Sequence, residues 1–283
     1  MGWQIAATAF IGVVLAIAAA VRVGKQRFYA NNLRHARALL ARAPVGEPPL
    51  LRAEEIATLP PPVRRWLEAS GAVGRPRART VRLRQRGGMR TAPNQPYLHA
   101  EARQYFTVDE PGFVWTVDVA MMHVIPVVGR DTYLDGRGRM LIKAAGLITV
   151  ADGTGPTFDQ GTALRFLGEI IWFPSGALAS YITWQPIDER RARATLTFKG
   201  IATSAVFEFD ERGRFAGLTA QRYYGGKTLE TWTIPITEWK TIRGIEMPTR
   251  GGAVWKLSSG DFDYYRWEIL DVEVNCSSLW DEN

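Results

Sequence analysis

From Arg79 onward the chain is written in alternation, and this constrains its fold more than any other feature. Leu98, Ala100, Ala102, Gln104 and Phe106 alternate with His99, Glu101, Arg103 and Tyr105. Across the turn Asp109-Glu110-Pro111-Gly112 the pattern resumes with Phe113, Trp115, Val117 and Val119. A period of two sends successive side chains to opposite faces, so each run reads as a strand with one buried and one wet face. Asp135-Gly136-Arg137-Gly138 and Glu211-Arg212-Gly213 join further runs as hairpins. Strands are expected at 205–209, 218–222, 229–234, 239–242, 253–257 and 267–274. About ten strands at this spacing describe a barrel, half-barrel or sandwich.

Helical spacing interrupts the alternation once. Leu164, Leu167, Ile170 and Ile171 form an apolar stripe, Asp159 is placed to cap it, and Pro174 ends it. This predicts a helix over 159–173. Ahead of the sheet, 53–59 and the stretch from Pro60-Pro61-Pro62 to Gly71 read as two short helices, the second with Val63, Trp66 and Leu67 on one face. That face is too small to stand alone and must pack against the later part of the chain.

The N-terminus is of another kind. Residues 3–21 carry no formal charge, and Arg22, Lys25 and Arg27 follow at once. As a helix this run spans about 28 Å, the thickness of a bilayer's hydrocarbon. A transmembrane anchor and a cleaved signal peptide share these traits. Length and the lack of a preceding cation favour the anchor. Arg34 and Arg37 add to the cations beyond the run, so the positive-inside rule places the globular domain in the cytoplasm of a single-pass cell-membrane protein, with the envelope side as the alternative. Phe28, Leu33, Ala36 and Leu40 can share one face of a juxtamembrane helix that lies on anionic lipid or stands in solvent. The expected organisation is an anchor at 1–22, a basic helix and linker at 23–50, a helical collar at 51–72 and the β-domain at 73–283. The fold class is mainly β (α+β): an N-terminal transmembrane helix, a short collar, then a curved antiparallel sheet or half-barrel with one helix packed on it.

Charge follows the same division. Residues 1–100 hold 16 basic and 4 acidic groups, the remainder 19 and 24. Seven Arg fall between Arg75 and Arg90, and Arg82, Arg84 and Arg86 project from one strand face. Guanidinium groups about 7 Å apart can grip phosphates, or simply keep an edge strand soluble. With Lys25 and Arg27 they are the candidate contacts to an anionic membrane surface. The face lacks the interleaved aromatics of a nucleic-acid binder, so no nucleic-acid partner is expected.

Catalytic patterns are sparse. His35, His99 and His123 form no metal-binding pair, so no metal or other cofactor is expected. Phosphate-cradling glycine loops, dinucleotide fingerprints and nucleophile elbows are missing. Cys276, the single thiol, suits a buried structural role. Glu169 is the one catalytic candidate: beside Ile170-Ile171-Trp172 its pKa would rise, whereas exposed and paired with Arg165 one turn earlier it would be ordinary. Arg222 and Glu230 likewise face a cavity or solvent. Among the aromatics, Trp115, Phe166, Trp172, Trp184 and Trp232 are candidates to line a pocket for an acyl chain or other apolar ligand, or else they form a plain core.

The motifs Leu59-Pro60-x-x-Val63-x-x-Trp66-Leu67-x-x-Ser70-Gly71, Pro126-Val127-x-Gly129-Arg130-Asp131, and Asp159-x-Gly161 through Leu167-x-Glu169 to Trp172-x-Pro174 resemble an uncharacterised bacterial family, over roughly residues 55–275. The resemblance implies no activity. More distantly, a helix in a curved antiparallel sheet resembles the lipoprotein-carrier (LolA/LolB-like) half-barrel of the bacterial envelope, which implies an interior for acyl chains and conflicts with a cytoplasmic domain. Three functions are thus expected in order: a membrane-anchored non-enzymatic domain binding a lipid or apolar ligand; a hydrolase or isomerase using a carboxylate such as Glu169; and a module docking a membrane-protein partner through an apolar patch around Trp66.

Overall fold

The computed structural model describes residues 2–121 and 125–280; His123 lies outside them. A helix α1 (Gly2–Leu40) is followed by two short helices, α2 (Ala53–Ile56) and α3 (Pro61–Ala69). Six strands come next: β1 (Thr80–Met89), β2 (Leu98–Thr107), β3 (Gly112–Met121), β4 (Ile125–Leu134), β5 (Arg137–Ala144) and β6 (Ile148–Thr154). Helix α4 (Pro156–Glu169) leads into seven more: β7 (Ile182–Pro186), β8 (Arg191–Phe198), β9 (Ile201–Phe209), β10 (Phe215–Tyr224), β11 (Thr228–Ile242), β12 (Ile245–Leu257) and β13 (Gly260–Val274). All thirteen form one antiparallel sheet in the order β6-β5-β4-β3-β2-β1-β13-β12-β11-β10-β9-β8-β7. The sheet is two meanders joined where the first strand meets the last.

Thirteen strands exceed the ten expected, and the reasons are local. β6 is an edge strand and almost wholly exposed, β7 has five residues, and the inward positions of β8 are Ala192, Ala194 and Leu196, too small to announce a core. The runs 229–234 and 239–242 are one strand of fifteen residues, β11, in which Pro235 stands next to register shifts between Ile236 and Trp239. Proline is tolerated where the ladder is already irregular. The expected hairpin at Asp135-Gly136 forms, and both residues take the positive φ (54° and 77°) that a tight two-residue turn requires.

Helix α4 lies in the trough of the sheet, against β4, β5 and β6 on one side and β8, β9 and β10 on the other. It begins at Pro156 with Gly155 as cap, three residues earlier than Asp159 suggested, and passes into a 3-10 turn at Ile170–Trp172. Asp159 is therefore not the cap. Its buried carboxylate instead accepts the Gly138 backbone N–H (2.7 Å) and the Arg137 guanidinium (2.9 Å), tying the helix to β5. Leu164, Leu167, Ile170 and Ile171 are buried as the stripe predicts. Glycine permits the close approach: a Cβ on Gly138 would stand 2.3 Å from both the Phe158 carbonyl oxygen and Thr162 Oγ1.

Helix α1 crosses the opposite, convex face. Its apolar N-terminal window is long enough to span a membrane and has a mean hydropathy of 2.3. The same helix continues unbroken into the basic segment, where Gly24, Phe28, Asn32, Ala36 and Leu39 form a buried stripe. Phe28 packs on Val128 and Leu141, while Ala36, Leu39 and Leu40 pack on Tyr105 and Val114. The juxtamembrane face thus lies neither on lipid nor in solvent, since it covers the outside of the sheet. The C-terminal Leu279 and Trp280 close over the same cluster.

The collar helices form near their expected limits. Trp66 on α3 is buried against Trp184, Phe207 and Phe209, at ring separations of 5.8–6.5 Å. Among the described residues Trp66, Val63 and Leu67 are buried, so they present no exposed apolar patch of the kind a docking module there would need. Substitution Gly138→Ala tests the helix-in-trough packing: forcing a methyl against the Phe158 carbonyl should cost about 1–3 kcal/mol. A thermal or denaturant melt of the variant checks this, and an unchanged midpoint would contradict the contact.

Candidate functional site

The alternation of β2, β3 and β4 sends Gln104, Trp115 and Asp131 to the concave face as cross-strand neighbours. Helix α4 presents Arg165 and Glu169, one turn apart, to the same spot. Arg165 donates from Nε to Glu169 Oε1 (2.7 Å) and from Nη1 to Asp131 Oδ2 (2.8 Å). Gln104 Nε2 donates to the other Glu169 oxygen at 2.6 Å. The guanidinium lies over the rings of Trp115 (4.5 Å) and Phe113 (5.0 Å), where a cation is attracted to the π face. The Arg165, Asp131 and Glu169 side chains retain only 12–21% exposure. Burial raises the carboxyls of both Asp131 and Glu169 above the ordinary range, and the Arg165 charge pulls each back down.

A second cation flanks the first. Arg222 on β10 lies over Trp232 (4.8 Å) and reaches Tyr264, whose hydroxyl also accepts the Trp232 indole N–H at 3.2 Å. Its charge lowers Asp131 as well. Tyr265 packs edge-on to Trp115, donates to Gln85 Oε1 at 3.1 Å, and has its hydroxyl pKa pushed far up by burial. Of the nine buried side-chain polar atoms without a partner among the described residues, two belong to this cluster, Trp115 Nε1 and Gln104 Oε1. One is a donor and the other an acceptor, on residues that face each other across β2 and β3. A group that both accepts and donates, such as a hydroxyl or an amide, has the chemistry to satisfy the two atoms.

The pairing of Glu169 with Arg165 holds as spacing suggested, but the pair is buried rather than exposed. Among the candidate ligand aromatics, only Trp115 joins this cluster directly. Trp232 stands beside it under Arg222. Phe166 sits on another side of α4 among Phe106, Tyr133, Phe173 and Tyr181. Trp172 donates to the Pro248 carbonyl and meets Trp267 edge-on, and the half-buried Trp184 donates to the Ala177 carbonyl beside Trp66. These three pack α4 and its continuation into the sheet. Gln104 has no role in the sequence reading, although a single polar residue among the inward Ala100, Ala102 and Phe106 is an available signal; Asp131 stands there only within a family motif, and Arg222, expected to face a cavity or solvent, lies over Trp232 beside the cluster.

The arginines of β1 project from the convex face as the alternation requires. Arg82 is paired with Glu273 and lies over the Trp280 ring, Arg84 stacks on the same ring, and Arg86 pairs with Glu268 at 2.9 Å. Arg86 also borders a shallow cleft of about 430 Å³ with His99, Arg250 and Arg266. Lys25 lies 3.4 Å from Asp118, and Arg27 is exposed. Cys276 is half-buried rather than buried, and its thiol donates to Glu273. Among the described residues no group of three or more His, Cys, Asp or Glu is placed to hold a metal ion.

A curved antiparallel sheet wrapped around one helix, with a polar cluster on its aromatic inner wall, defines a half-barrel protein. The chain belongs to the family described as "Family of unknown function (DUF6544)", which matches residues 49–267. None of the curated proteins matches it. Among solved structures it is similar to an outer membrane lipoprotein-sorting protein domain from Vibrio parahaemolyticus, at 9% identity and a TM-score of 0.42 over 71% of this chain and 87% of that one. A LolA superfamily protein from Nitrosomonas europaea matches at 12% identity and a TM-score of 0.37, over 74% and 92%. A β-barrel-like protein with a domain of unknown function from Brucella abortus matches at 8% and 0.30, over 70% and 98%.

Removing the central cation tests the cluster. Arg165→Met leaves two carboxyls buried without their partner, and breaking such a pair costs about 3–5 kcal/mol. Both carboxyls already titrate above their ordinary values, so each favours the folded state below its unfolded pKa and loses that contribution as pH rises through the folded one. Removing Arg165 raises them further. The deficit against the unmodified protein should therefore be smallest near about pH 4 and grow toward neutrality, as melting curves across that range would show. A deficit independent of pH would contradict the charge assignment.

Proposed function

We propose that this protein is a membrane-anchored, non-enzymatic domain that binds a lipid or other apolar ligand on the concave face of its half-barrel. Helix α1 is the anchor and carries the domain on its basic half. The ligand's polar end meets Trp115 and Gln104 beside Arg165 and Arg222, and its apolar part runs along the aromatic wall. The observation that carries this reading is the buried, unpartnered pair of Trp115 Nε1 and Gln104 Oε1 in that wall. Binding supplies the partner that the fold itself leaves out, and a hydrogen bond gained there is worth more than one at the surface. The carboxylates serve the same site by holding Arg165 in place. A hydrolase using Glu169 is the weaker reading, because both Glu169 oxygens are already engaged by Arg165 and Gln104.

The test is to extract the full-length protein in mild detergent, wash it, and analyse organic extracts by mass spectrometry. A lipid-like molecule in near-stoichiometric amount is expected, falling at least several-fold in Trp115→Ala with the fold retained. Equal and trace recovery from both proteins would end the reading. Membrane side is a separate expectation: with the cations of α1 governing topology, a reporter fused to the C-terminus of the full chain should read as cytoplasmic. Export activity there would place the domain in the envelope instead.

A further inference from the structure

Helix α1 and the turn between β5 and β6 are interlocked through two glycines. A Cβ on Gly24 would stand 2.5 Å from Leu147 Cδ2, and one on Gly146 would stand 2.6 Å from the Lys25 backbone nitrogen. Gly146 also needs its positive φ of 71° to turn the hairpin at that point. The contact falls three residues past the end of the uncharged run, about 5 Å along the helix axis. Immediately beyond it are Leu147, Ile148 and Val150, with exposures of 46, 69 and 63%.

That is an unusual way to leave an edge strand. Edges are ordinarily blunted with charge or proline, and 147–150 has neither. The apolar tip instead continues the surface of the apolar helix: Val23 on α1 is also exposed, and the exposed cations Arg22 and Arg27 stand at the same level, as expected where protein meets lipid headgroups. We propose that the tip of the β5–β6 hairpin, through Leu147, Ile148 and Val150, inserts into the bilayer interface as a second membrane contact beside α1. The occupant is lipid because the patch adjoins the span without interruption. The proposal rests on the reading of α1 as a span. It goes beyond that reading by fixing the tilt of the helix and its packed domain against the bilayer, which one spanning helix alone cannot set.

Site-directed fluorescence tests it on the full chain. In a Cys276→Ser background, single substitutions Ile148→Cys, Val150→Cys, Phe10→Cys and Glu211→Cys are labelled with an environment-sensitive nitrobenzoxadiazole. The proteins are then placed in nanodiscs of phosphatidylcholine and phosphatidylglycerol with or without doxyl-labelled lipid. Glu211 lies in the β9–β10 turn, at the other end of the strands. Labels at 148 and 150 should lose roughly half their emission to a shallow doxyl group, as for a depth of about 5–10 Å. The label at 10 should respond to a deep doxyl group and that at 211 to neither. Quenching at 10 without quenching at 148 and 150 overturns the hairpin contact and leaves the span standing. An unquenched label at 10 removes the span, and the proposal with it. Blue-shifted emission at 148 that ignores every lipid quencher identifies a protein neighbour, such as a second copy, and overturns the proposal.

Discussion

Two adjacent residues of β4 hold the two long helices on opposite sides of the sheet. Arg130 points outward and donates to Asn32 of α1 at 3.1 Å, while Asp131 points inward and accepts from Arg165 of α4 at 2.8 Å. Strand alternation makes this division strict, because a slip of one residue exchanges every inward side chain for an outward one. It would thrust Arg130 among Trp115 and Phe113. The Asp131–Arg165 ion pair is worth about 4 kcal/mol at an effective dielectric near 20, against a desolvation cost of several kcal/mol for each ion, and the Arg130–Asn32 contact is a hydrogen bond from a charged donor to a neutral amide. The balance is close to even. What these contacts supply is therefore orientation: they fix which face takes which helix and how α4 is turned in the trough, while the aromatic and aliphatic core supplies the stability.

Closure of the sheet is long-range in the same way. β1 pairs with β13 through residues some 190 positions apart, as in Arg82 with Glu273. Each meander can form from local hairpins, but neither encloses α4 until the first and last strands meet. Such a topology pays loop-closure entropy before it gains its core, which makes it slow to fold. The C-terminus then reinforces the join, with Trp280 covering Arg82 and Arg84 and packing toward Leu39 of α1. Helix α1, the central strands and the segment at Leu279 and Trp280 consequently form one cluster on the convex face.

Much of this was legible in the residues, and the misses share a cause. Period-two runs, Asp-Gly turns and the Leu164, Leu167, Ile170 stripe declare local structure, and they revealed the sheet, its hairpins and the helix in its trough. The same logic placed Arg82, Arg84 and Arg86 on one face. What it could not give was partnership. Glu169 and Arg165 are visible as a helical pair, yet their burial depends on Asp131 and Gln104, which lie on separate strands 34 and 65 residues away. The face of α1 holding Phe28, Ala36 and Leu40 was visible too. That it covers a sheet rather than lipid depends on Val128, Leu141 and Val114, outward residues of strands whose opposite face is also buried. A strand covered on both sides loses the clean contrast between apolar and polar positions on which such reading relies.

The unbroken helix has a geometric consequence for the proposed ligand site. On the proposed reading of α1 as a membrane anchor, a flexible linker would let the half-barrel leave the bilayer, whereas α1 runs from its apolar window straight onto β3, with Lys25 beside Asp118 at one end and Leu39 beside Gly112 at the other. Helix and strand therefore run side by side in opposite directions, and distance from the membrane can be counted along the strand. Trp115 lies three residues from Asp118, about 10 Å farther out at the rise of an extended chain. With α1 spanning the bilayer as proposed, the polar cluster stands close above the headgroups, on the inner wall of the sheet whose outer wall carries α1. A lipid-like molecule entering from the membrane end would meet Val117 and Val119 before reaching the polar cluster. On the proposed reading, the ligand needs to rise only a short way from the bilayer for its polar end to meet Trp115 and Gln104, and the charged pairs of α4 stand where that end would come to rest.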